Sequence, residues 1–359
     1  MNRLDLLLPG DIDTPTGGYI YDRRMVDGLR ALGWQVEVHA LDDSFPLPTA
    51  RALKQADAVL STLPDRARVL IDGLALGAMP DQIARHRERL RLVALVHHPL
   101  ALESGLDTEE AERLRVSETA ALGHVRRVIA TSTATARLLG EYGVDAAAVD
   151  VIEPGTDPAP LAPGPLHGAG PGAVKGAGSR PLRLLCVGSV TPRKGHLLLI
   201  EALSGLTQQD WTLICAGSLG RGPETTAALR RRIKAAGLAT RVRLLGEVGQ
   251  GTLSRLYADA DLFVLPSLFE GYGMAYAEAL AHGLPVLGTH AGAIPDTVPA
   301  DAGVLVEPGS ADALREALAR LLTEPDLRRR LAAGARSARE RLPDWTSSAR
   351  RLAAVLAGV

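Results

Sequence analysis

The sequence predicts an α/β protein of two domains, each with a parallel sheet covered by helices on both faces. Short apolar runs typical of buried strands alternate with helical stretches in both halves of the chain. A segment over 154–181, dominated by Pro, Gly and Ala, separates the halves and carries no hydrophobic period. The length of 359 residues exceeds that of one ordinary α/β domain and suits two.

The first half opens with a βαβ unit. Residues 4–8 form an apolar run typical of a buried parallel strand, and a turn-rich loop over 9–18 follows. A helix is predicted over about 19–32, with Gly33 ending it, and QVEVHAL supplies the next strand. Further strands are predicted at 58–61, 92–96, 128–131 and 149–152.

The same alternation restarts after the linker. The predicted strands are LRLLCVGSV, WTLICAG, RVRLLG, DLFVLPS and PVLGT, with helices between them, so the second half is a further Rossmann-like domain. The predicted boundaries are 1–160 for the first domain, 161–180 for the linker and 181–342 for the second domain. The sequence permits a C-terminal helix, about 343–359, to fold back on the first domain.

Composition and charge exclude several classes of protein. With 46% hydrophobic and 23% charged residues the chain is globular, and a net charge of -1 gives no argument for a nucleic-acid partner. Cys186 and Cys215 lie in apolar runs, which excludes a disulfide framework and favours the reducing cytoplasm. The N-terminal apolar run is too short for a signal peptide, and no segment reaches the roughly 20 apolar residues of a membrane span. Peripheral contact with the inner membrane face stays open.

The most informative stretch is PSLFEGYGMAYAEALAHGLPVLGT over 266–289. A buried strand is predicted to end at Pro266, where open α/β sheets bind ligands, and Glu278 lies about one turn inside the helix that follows. The loop and the helix start are formed by Glu270, Gly271, Tyr272, Gly273, Met274 and Ala275. Free N–H groups at a helix start suit a diphosphate, and the two acids can accept hydrogen bonds from sugar hydroxyls. Either acid alone would be interpreted as a solvated surface group, whereas the pair in this setting predicts a binding site.

The segment EGYGMAYAE resembles the E-x7-E signature of retaining GT-B glycosyltransferases of family four, and AHGLPV matches its continuation. Further resemblance, in the family's order, lies in PTGGYIYDRRMVDGLRALGWQVEV, LVHHPL, VIATSTATARLL, VIEPGTD, VGSVTPRKGHLLLIEAL and YADADLFVLPS. The resemblance implies a GT-B fold, with two Rossmann-like domains whose parallel sheets face each other across a cleft. It implies that the second domain binds a nucleotide sugar, with Glu278 on the ribose and Glu270 on the donor sugar.

Two adjacent cations, Arg193 and Lys194, follow the first strand of the second half in GSVTPRKG. A diphosphate leaving group gains negative charge as its glycosidic bond breaks, so fixed cations there stabilise the transition state. A surface pair of cations at a helix start would instead oppose the helix dipole. The family usually places an arginine directly after the first glycine, where this chain has Ser189. The resemblance therefore assigns that arginine's role to Arg193, and Lys194 matches the family lysine directly.

Residues of the first half are implicated by the same resemblance. His97 aligns with the histidine that lies near the donor sugar and either binds its hydroxyls or stabilises the oxocarbenium-like centre. His98 is an orienting or acceptor-side candidate, although a histidine after a strand is often only a loop residue. Gly17 and Gly18 allow close backbone approach to a ligand, and in similar enzymes their loop faces the donor phosphate and the acceptor. The alternative for the pair is a plain glycine turn.

The nucleobase and metal requirements are less specific in the sequence. Resemblance places Gly217, Glu247 and Val248 around the base, mostly through backbone groups, so UDP-, GDP- and ADP-sugars are not distinguished. The triplet over 259–261 has the D-x-D spelling of a metal motif but lies at the entry of a strand, opposite the ligand edge. It is therefore interpreted as structural, and neither a metal ion nor a cofactor is predicted.

The sequence thus predicts a metal-independent retaining glycosyltransferase that moves a sugar from a nucleotide diphosphate sugar to an acceptor hydroxyl. The acceptor is a glycan, a lipid or a small molecule. Two alternatives remain, because one fold supports several reactions. The first is a nucleotide-sugar epimerase of the same fold, and the second is a non-catalytic subunit that binds a nucleotide sugar.

Overall fold

The structure, a computed structural model, describes residues 2–103, 105–162 and 180–359. It divides into two compact units, the first comprising Met1–Gly155 with Pro343–Val359 and the second comprising Thr156–Leu342. Most of the predicted linker, 163–179, lies outside the described residues. Within the part of the chain that is described, no helix has both the length and the apolar character needed to cross a membrane.

The first unit is built on a six-stranded sheet. Its strands are β1 (Arg3–Pro9), β2 (Gln35–Leu41), β3 (Arg68–Asp72), β4 (Arg91–Val96), β5 (Arg127–Ala130) and β6 (Val149–Val151). Its helices are α1 (Gly17–Ala31), α2 (Ala50–Thr62), α3 (Gly73–Leu76), α4 (Pro80–His86), α5 (Thr108–Leu122), α6 (Thr133–Leu139) and the last helix of the chain, α14 (Trp345–Gly358). The strand order is β2-β1-β3-β4-β5-β6, and neighbouring strands pair in parallel.

The second unit contains another six-stranded parallel sheet. Its strands are β7 (Leu182–Val187), β8 (Trp211–Ala216), β9 (Val242–Gly246), β10 (Leu262–Val264), β11 (Val286–Thr289) and β12 (Gly303–Val306). The strand order is β12-β11-β10-β7-β8-β9, and neighbouring strands pair in parallel. The helices of this unit are α7 (His196–Ser204), α8 (Pro223–Ala235), α9 (Gln250–Asp259), α10 (Met274–Ala281), α11 (Ile294–Thr297), α12 (Ala311–Thr323) and α13 (Pro325–Arg339). The predicted α/β class with two Rossmann-like sheets is confirmed.

Strand order determines where each unit can bind a ligand. In the second unit β7 lies between β10 and β8, so the chain winds outward from β7 in both directions. The loops after β7 and β10 therefore diverge and leave a crevice at the carboxyl edge of the sheet. In the first unit the corresponding reversal lies between β1 and β3.

The strand predicted at 58–61 is wrong, because these residues belong to α2. The buried positions of this helix are Ala52, Ala56 and Leu60, which are four residues apart and form one helical face. Thr49 caps the helix by accepting a hydrogen bond from the Ala52 amide at 3.1 Å. The strand that pairs with β1 on the side opposite β2 is β3, which begins after this helix ends.

The helix α14 packs against α1 within the first unit. An ideal Cβ at Gly28 would lie 2.4 Å from the Cβ of Ala349, so the absence of a side chain at this position lets the helices approach closely. Leu352 and Leu356 are fully buried on the α14 side of this contact. Ser348 joins the start of α14 to the segment that follows β6, since its hydroxyl donates to the Glu153 carbonyl at 2.7 Å.

Replacing Gly28 by valine should lower the free energy of unfolding of the first unit by about 1–3 kcal/mol, because the added methyl groups separate α1 from α14. Denaturant unfolding followed by circular dichroism measures this loss. The double variant Gly28→Ala/Ala349→Gly should recover most of the stability that Gly28→Ala loses. Gly140→Val is the matched control, since nothing lies within 4 Å of an ideal Cβ there. Equal losses in the Gly28 and Gly140 variants would contradict the packing argument.

Candidate active site

Glu270 lies in the loop after β10 and is only 6% exposed. Lys194 donates from Nζ to Oε1 of Glu270 at 2.6 Å, and Ser267 donates from Oγ to the same oxygen at 2.5 Å. Arg193 donates from Nη1 to the Phe269 carbonyl at 2.7 Å and to Oε2 of Glu270 at 3.3 Å. The structure therefore brings three predicted residues, Arg193, Lys194 and Glu270, into one ionic cluster at the crevice between β7 and β10.

The cations hold Glu270 in its ionised form. Burial raises the pKa of this carboxyl, but the charges of Lys194 and Arg193 together lower it by more. Its pKa therefore lies below the ordinary value. Two cations against one carboxylate leave one excess positive charge in the cluster. A carboxylate has about four acceptor positions, and the hydrogen bonds recorded for the described residues occupy three of them. The cluster can thus attract an anion and accept one further hydrogen bond from a hydroxyl.

The helix α10 begins four residues after Glu270, at Met274. Its N-cap, Gly273, has a left-handed backbone with φ +92°, and an ideal Cβ would lie 2.8 Å from the Tyr276 ring. Among the described residues no side chain caps this helix start, and the first N–H groups of a helix, here those of Met274 and Ala275, have no partner within the helix. These amides and the positive end of the helix dipole form an anion site next to the ionic cluster.

Two other predicted residues, Gly271 and Tyr272, span the short stretch between Glu270 and the helix start. Tyr272 is buried, and its carbonyl accepts a hydrogen bond from the Thr297 hydroxyl at 2.7 Å. The Glu270 carbonyl accepts from the Ala293 amide at 2.9 Å. The loop is therefore fastened to α11 and to the residue before it, which fixes the backbone in position.

Glu278 lies one turn inside α10 and is half-buried. Tyr257 of α9 donates from its hydroxyl to Oε2 of Glu278 at 2.8 Å. Within the described residues no hydrogen bond to Oε1 of Glu278 is recorded. Burial raises the pKa of this carboxyl to about 7, with the Tyr257 hydrogen bond lowering it and Asp157 raising it. Glu278 therefore has its own partners, separate from those of Glu270, and titrates near neutral pH.

Gly217, Glu247 and Val248 lie at the ends of β8 and β9, one and two strands beyond β7. The Gly217 amide donates to the Gly246 carbonyl at 2.9 Å. An ideal Cβ at Gly217 would lie 2.2 Å from the Gly188 carbonyl oxygen, and its φ of +140° also favours glycine. Glu247 is exposed and Val248 half-buried. These residues share the carboxyl edge with the ionic cluster but not its hydrogen bonds.

His97 directly follows β4 in the first unit. Its Nε2 lies 3.2 Å from Oδ1 of Asp22 and 3.4 Å from Oδ2 of Asp72. Both acids are buried, at 1% exposure, while the His97 side chain is 20% exposed. Burial lowers the pKa of His97, but Asp22 and Asp72 raise it more strongly, so its pKa lies above the ordinary value. His97 is therefore an imidazolium held by two carboxylates, with part of its ring open to solvent.

Gly17 and Gly18 form the start of α1, after the loop that follows β1. Thr16 caps this helix by accepting a hydrogen bond from the Tyr19 amide at 3.2 Å, so the helix begins two residues before its predicted start. An ideal Cβ at Gly18 would lie 3.3 Å from the His97 ring. The structure thus brings Gly18 and His97 together, while Gly17 is exposed.

Two family models match the chain. The model described as Glycosyltransferase Family 4 matches residues 17–160, and the model described as Glycosyl transferases group 1 matches residues 173–338. A curated D-inositol 3-phosphate glycosyltransferase from Thermomonospora curvata is 31% identical over 293 residues, which cover 77% of this chain and 68% of the relative. The chain belongs to the group 1 glycosyltransferases. Several other relatives of the same name are covered over only 55–62% of their own length.

Solved structures share the fold of this glycosyltransferase family member. Sucrose-phosphate synthase from Thermosynechococcus elongatus has a TM-score of 0.82 at 21% identity, covering 100% of this chain and 99% of that one. HepE from Anabaena, in complex with UDP and glucose, has a TM-score of 0.78 at 20% identity and covers 100% of both chains. At these identities, the likeness shows the fold alone.

Sequence reasoning missed several partners of the predicted residues. Asp72 was not predicted as a site residue, because β3, the strand whose last residue is Asp72, was not predicted. Asp22 carried an unused signal, since it shares one helical face with the apolar residues Met25 and Leu29. Tyr257 lies 21 positions before its partner Glu278. Ser267 carried a usable signal, since a hydroxyl three residues before Glu270 lies in the same loop.

Proposed function

We propose that this chain transfers a glycosyl group from a nucleotide diphosphate sugar to an acceptor hydroxyl, with retention at the anomeric carbon. The observation that carries the proposal is the ionic cluster of Arg193, Lys194 and Glu270 beside the start of α10. This arrangement offers excess positive charge and free amides for a diphosphate, and an acid for a sugar hydroxyl. Family membership supports the reaction class.

In the proposed reaction the bond between the anomeric carbon and the phosphate oxygen breaks, and the nucleotide diphosphate leaves with the electron pair. Lys194 and the amides of Met274 and Ala275 stabilise the charge that develops on the phosphates. The acceptor oxygen bonds to the anomeric carbon on the same face. The acceptor proton passes to the departing phosphate oxygen, as is commonly proposed for this family, so no protein base is assigned.

The remaining predicted residues receive roles that follow the same arrangement. Glu278 holds the ribose hydroxyls through its open Oε1, and Gly217, Glu247 and Val248 surround the base. Thr156–Leu342 is then the donor unit. His97 binds the hydroxyls of the donor sugar or stabilises its oxocarbenium-like centre, and the loop of Gly17 and Gly18 faces the donor phosphate and the acceptor. HepE is described in complex with UDP-glucose, which makes that donor the first to test.

The experiment that tests this function incubates the full chain with UDP-, GDP- and ADP-sugars and a panel of hydroxyl acceptors, including D-inositol 3-phosphate. Mass spectrometry should detect a glycosylated acceptor and a nucleotide diphosphate in equal amounts. An isomerised donor formed without acceptor would instead establish an epimerase. Donor binding without any turnover across the panel would establish a non-catalytic binding subunit.

We propose that the protein works in the cytoplasm, where both free cysteines would stay reduced. Contact with the inner face of a membrane belongs to this proposal if the acceptor is a lipid. Co-sedimentation with anionic lipid vesicles measures that contact, and protein that stays in the supernatant would limit the acceptor to soluble molecules.

Donor affinity should depend on pH through Glu278. Ribose hydroxyls need the ionised Glu278 carboxylate as hydrogen-bond acceptor. Because the pKa of Glu278 is about 7, this carboxyl loses its proton as the pH rises through neutrality. Affinity for the nucleotide sugar should therefore be roughly tenfold lower at pH 6 than at pH 8, measured by calorimetry. Glu278→Gln should bind weakly with a flat profile, and a tenfold pH dependence persisting in that variant would contradict the assignment.

A further inference from the structure

A cluster of two thiols and one imidazole lies in the core of the second unit, apart from the proposed donor site. Cys186 of β7 and Cys215 of β8 are register neighbours on adjacent parallel strands. His196, the first residue of α7, places a ring nitrogen near both, and one potential ligand atom from each residue lies within 4.8 Å of the other two. The three residues are 0%, 3% and 1% exposed, respectively, for Cys186, Cys215 and His196.

His196 is the unusual member of this cluster. Neither of its ring nitrogens has a hydrogen-bond partner among the described residues, although the side chain is fully buried. Leaving a buried polar group unsatisfied costs about 1–3 kcal/mol, so an unpaired imidazole in a core requires an explanation. A buried cysteine alone would be an ordinary small apolar residue, but two sulfur atoms beside an unsatisfied imidazole form a set of metal ligands.

We propose that Cys186, Cys215 and His196 bind a thiophilic divalent cation of the Zn²⁺ class. Zinc bonds to sulfur at about 2.3 Å and to imidazole nitrogen at about 2.0–2.1 Å, so ligand atoms of one site lie about 3.5 Å apart. The observed limit of 4.8 Å needs only small side-chain movements to reach that spacing. On binding, each thiol loses its proton to solvent, and two thiolates, one neutral imidazole and a divalent cation give a complex without net charge.

The requirement for a neutral complex favours a divalent cation over a monovalent one. A net charge in an apolar core is costly, and a monovalent soft ion such as Cu⁺ would leave one negative charge uncompensated. Two other groups among the described residues have metal-like spacing, one formed by Asp22, Asp72 and His97 and one by Asp5, Glu37 and His39. In both, the imidazole already bonds to a carboxylate. The cysteine cluster is therefore the better candidate.

The cysteine cluster lies next to the loop that carries Arg193 and Lys194, so an ion bound there would affect this loop. His196 lies two residues after Lys194, and Gly195 between them fits closely against Pro266, where an ideal Cβ would lie 2.1 Å from the carbonyl oxygen. An ion bound to His196 would fix the start of α7 to the sheet and so restrain the loop that carries Arg193 and Lys194. The ion takes no part in the proposed transfer chemistry.

Direct binding tests this inference independently of any transferase activity. The full chain, reduced and stripped with a chelator, is titrated with Cd²⁺ while the thiolate-to-metal absorption in the ultraviolet is recorded. One Cd²⁺ per chain is expected, with the band lost in Cys186→Ala and in Cys215→Ala, and with Zn²⁺ displacing Cd²⁺. His196→Gln should weaken binding at least tenfold, whereas the control His39→Gln should bind as the wild-type protein does.

Two wild-type results would overturn the proposal without any variant. One is the absence of a thiolate-to-metal band up to a tenfold excess of Cd²⁺. The other is the recovery of no free thiol from the denatured, freshly isolated protein, which would show that Cys186 and Cys215 form a disulfide. Retention of the band in either cysteine variant, with folding verified by circular dichroism, would also refute the site.

Discussion

Replacing Lys194 by methionine is expected to lower kcat/KM for glycosyl transfer by roughly 10³-fold, the effect of removing a preorganised electrostatic group from an active site. Methionine keeps much of the length of the side chain but removes its charge and its 2.6 Å hydrogen bond to Glu270. Initial rates with a donor that wild-type protein uses, at several donor concentrations, measure the loss. A variant with more than a tenth of wild-type activity would contradict the role of Lys194.

The design must separate lost chemistry from lost folding, because Lys194→Met also leaves buried Glu270 short of one cation. Breaking such a pair costs about 3–5 kcal/mol, so the single variant should be clearly destabilised. The double variant Lys194→Met/Glu270→Gln removes the uncompensated charge and should regain much of that stability while remaining inactive. Arg232→Met is the control, since Arg232 forms an exposed pair with Glu201 at 3.8 Å, and this variant should keep full activity.

Replacing Asp22 by asparagine is expected to lower both the pKa of His97 and the free energy of unfolding, the latter by about 3 kcal/mol at neutral pH. Burial raises the pKa of Asp22 to about 6, so its ion pair with His97 requires a pH above that value. The raised pKa of His97 means that protonation of the imidazole stabilises the fold, fully so below its unfolded value of 6.5. That contribution is lost as the pH rises through the folded pKa. In Asp22→Asn it should be smaller and should disappear at lower pH.

Urea unfolding between pH 6 and pH 9 measures the change in stability, and nuclear magnetic resonance of the His97 ring measures its titration. Asp57→Asn is the matched control, because Asp57 also pairs with a histidine, His86, at 3.2 Å but is 28% exposed. That variant should lose no more than about 1 kcal/mol. An unchanged His97 titration in Asp22→Asn would show that Asp22 does not hold the imidazolium.

The sequence was most informative where function depends on a short segment. The stretch from Glu270 to Glu278 and the pair Arg193-Lys194 were recognisable because each lies in one loop directly after a predicted strand. The topology also predicts that these two segments lie close together, since parallel strands bring their carboxyl ends to the same edge of the sheet. The direct bonds of Lys194 and Arg193 to Glu270 were not predicted, because they depend on side-chain positions across 76 and 77 residues of sequence separation.

The sequence was least informative where burial comes from distant parts of the chain. Asp22 has 1% exposure because it lies on the buried face of α1, and residues of that face share an apolar cluster with α14, which lies far away in the sequence. The error at residues 58–61 had a further cost, because it displaced β3 and concealed Asp72. A short apolar run fits either a strand or one face of a helix, and only the spacing of Ala52, Ala56 and Leu60 distinguishes the two.

The placement of α14 has a consequence for synthesis on the ribosome. Residues 345–358 are made after the entire second unit, yet Leu352 and Leu356 belong to the same apolar cluster as Met25 and Leu29 of α1. A nascent chain that has reached residue 155 therefore displays an uncovered hydrophobic surface, which persists until the last helix emerges. The apolar core of the first unit can therefore be completed only after residues 345–358 have been synthesised.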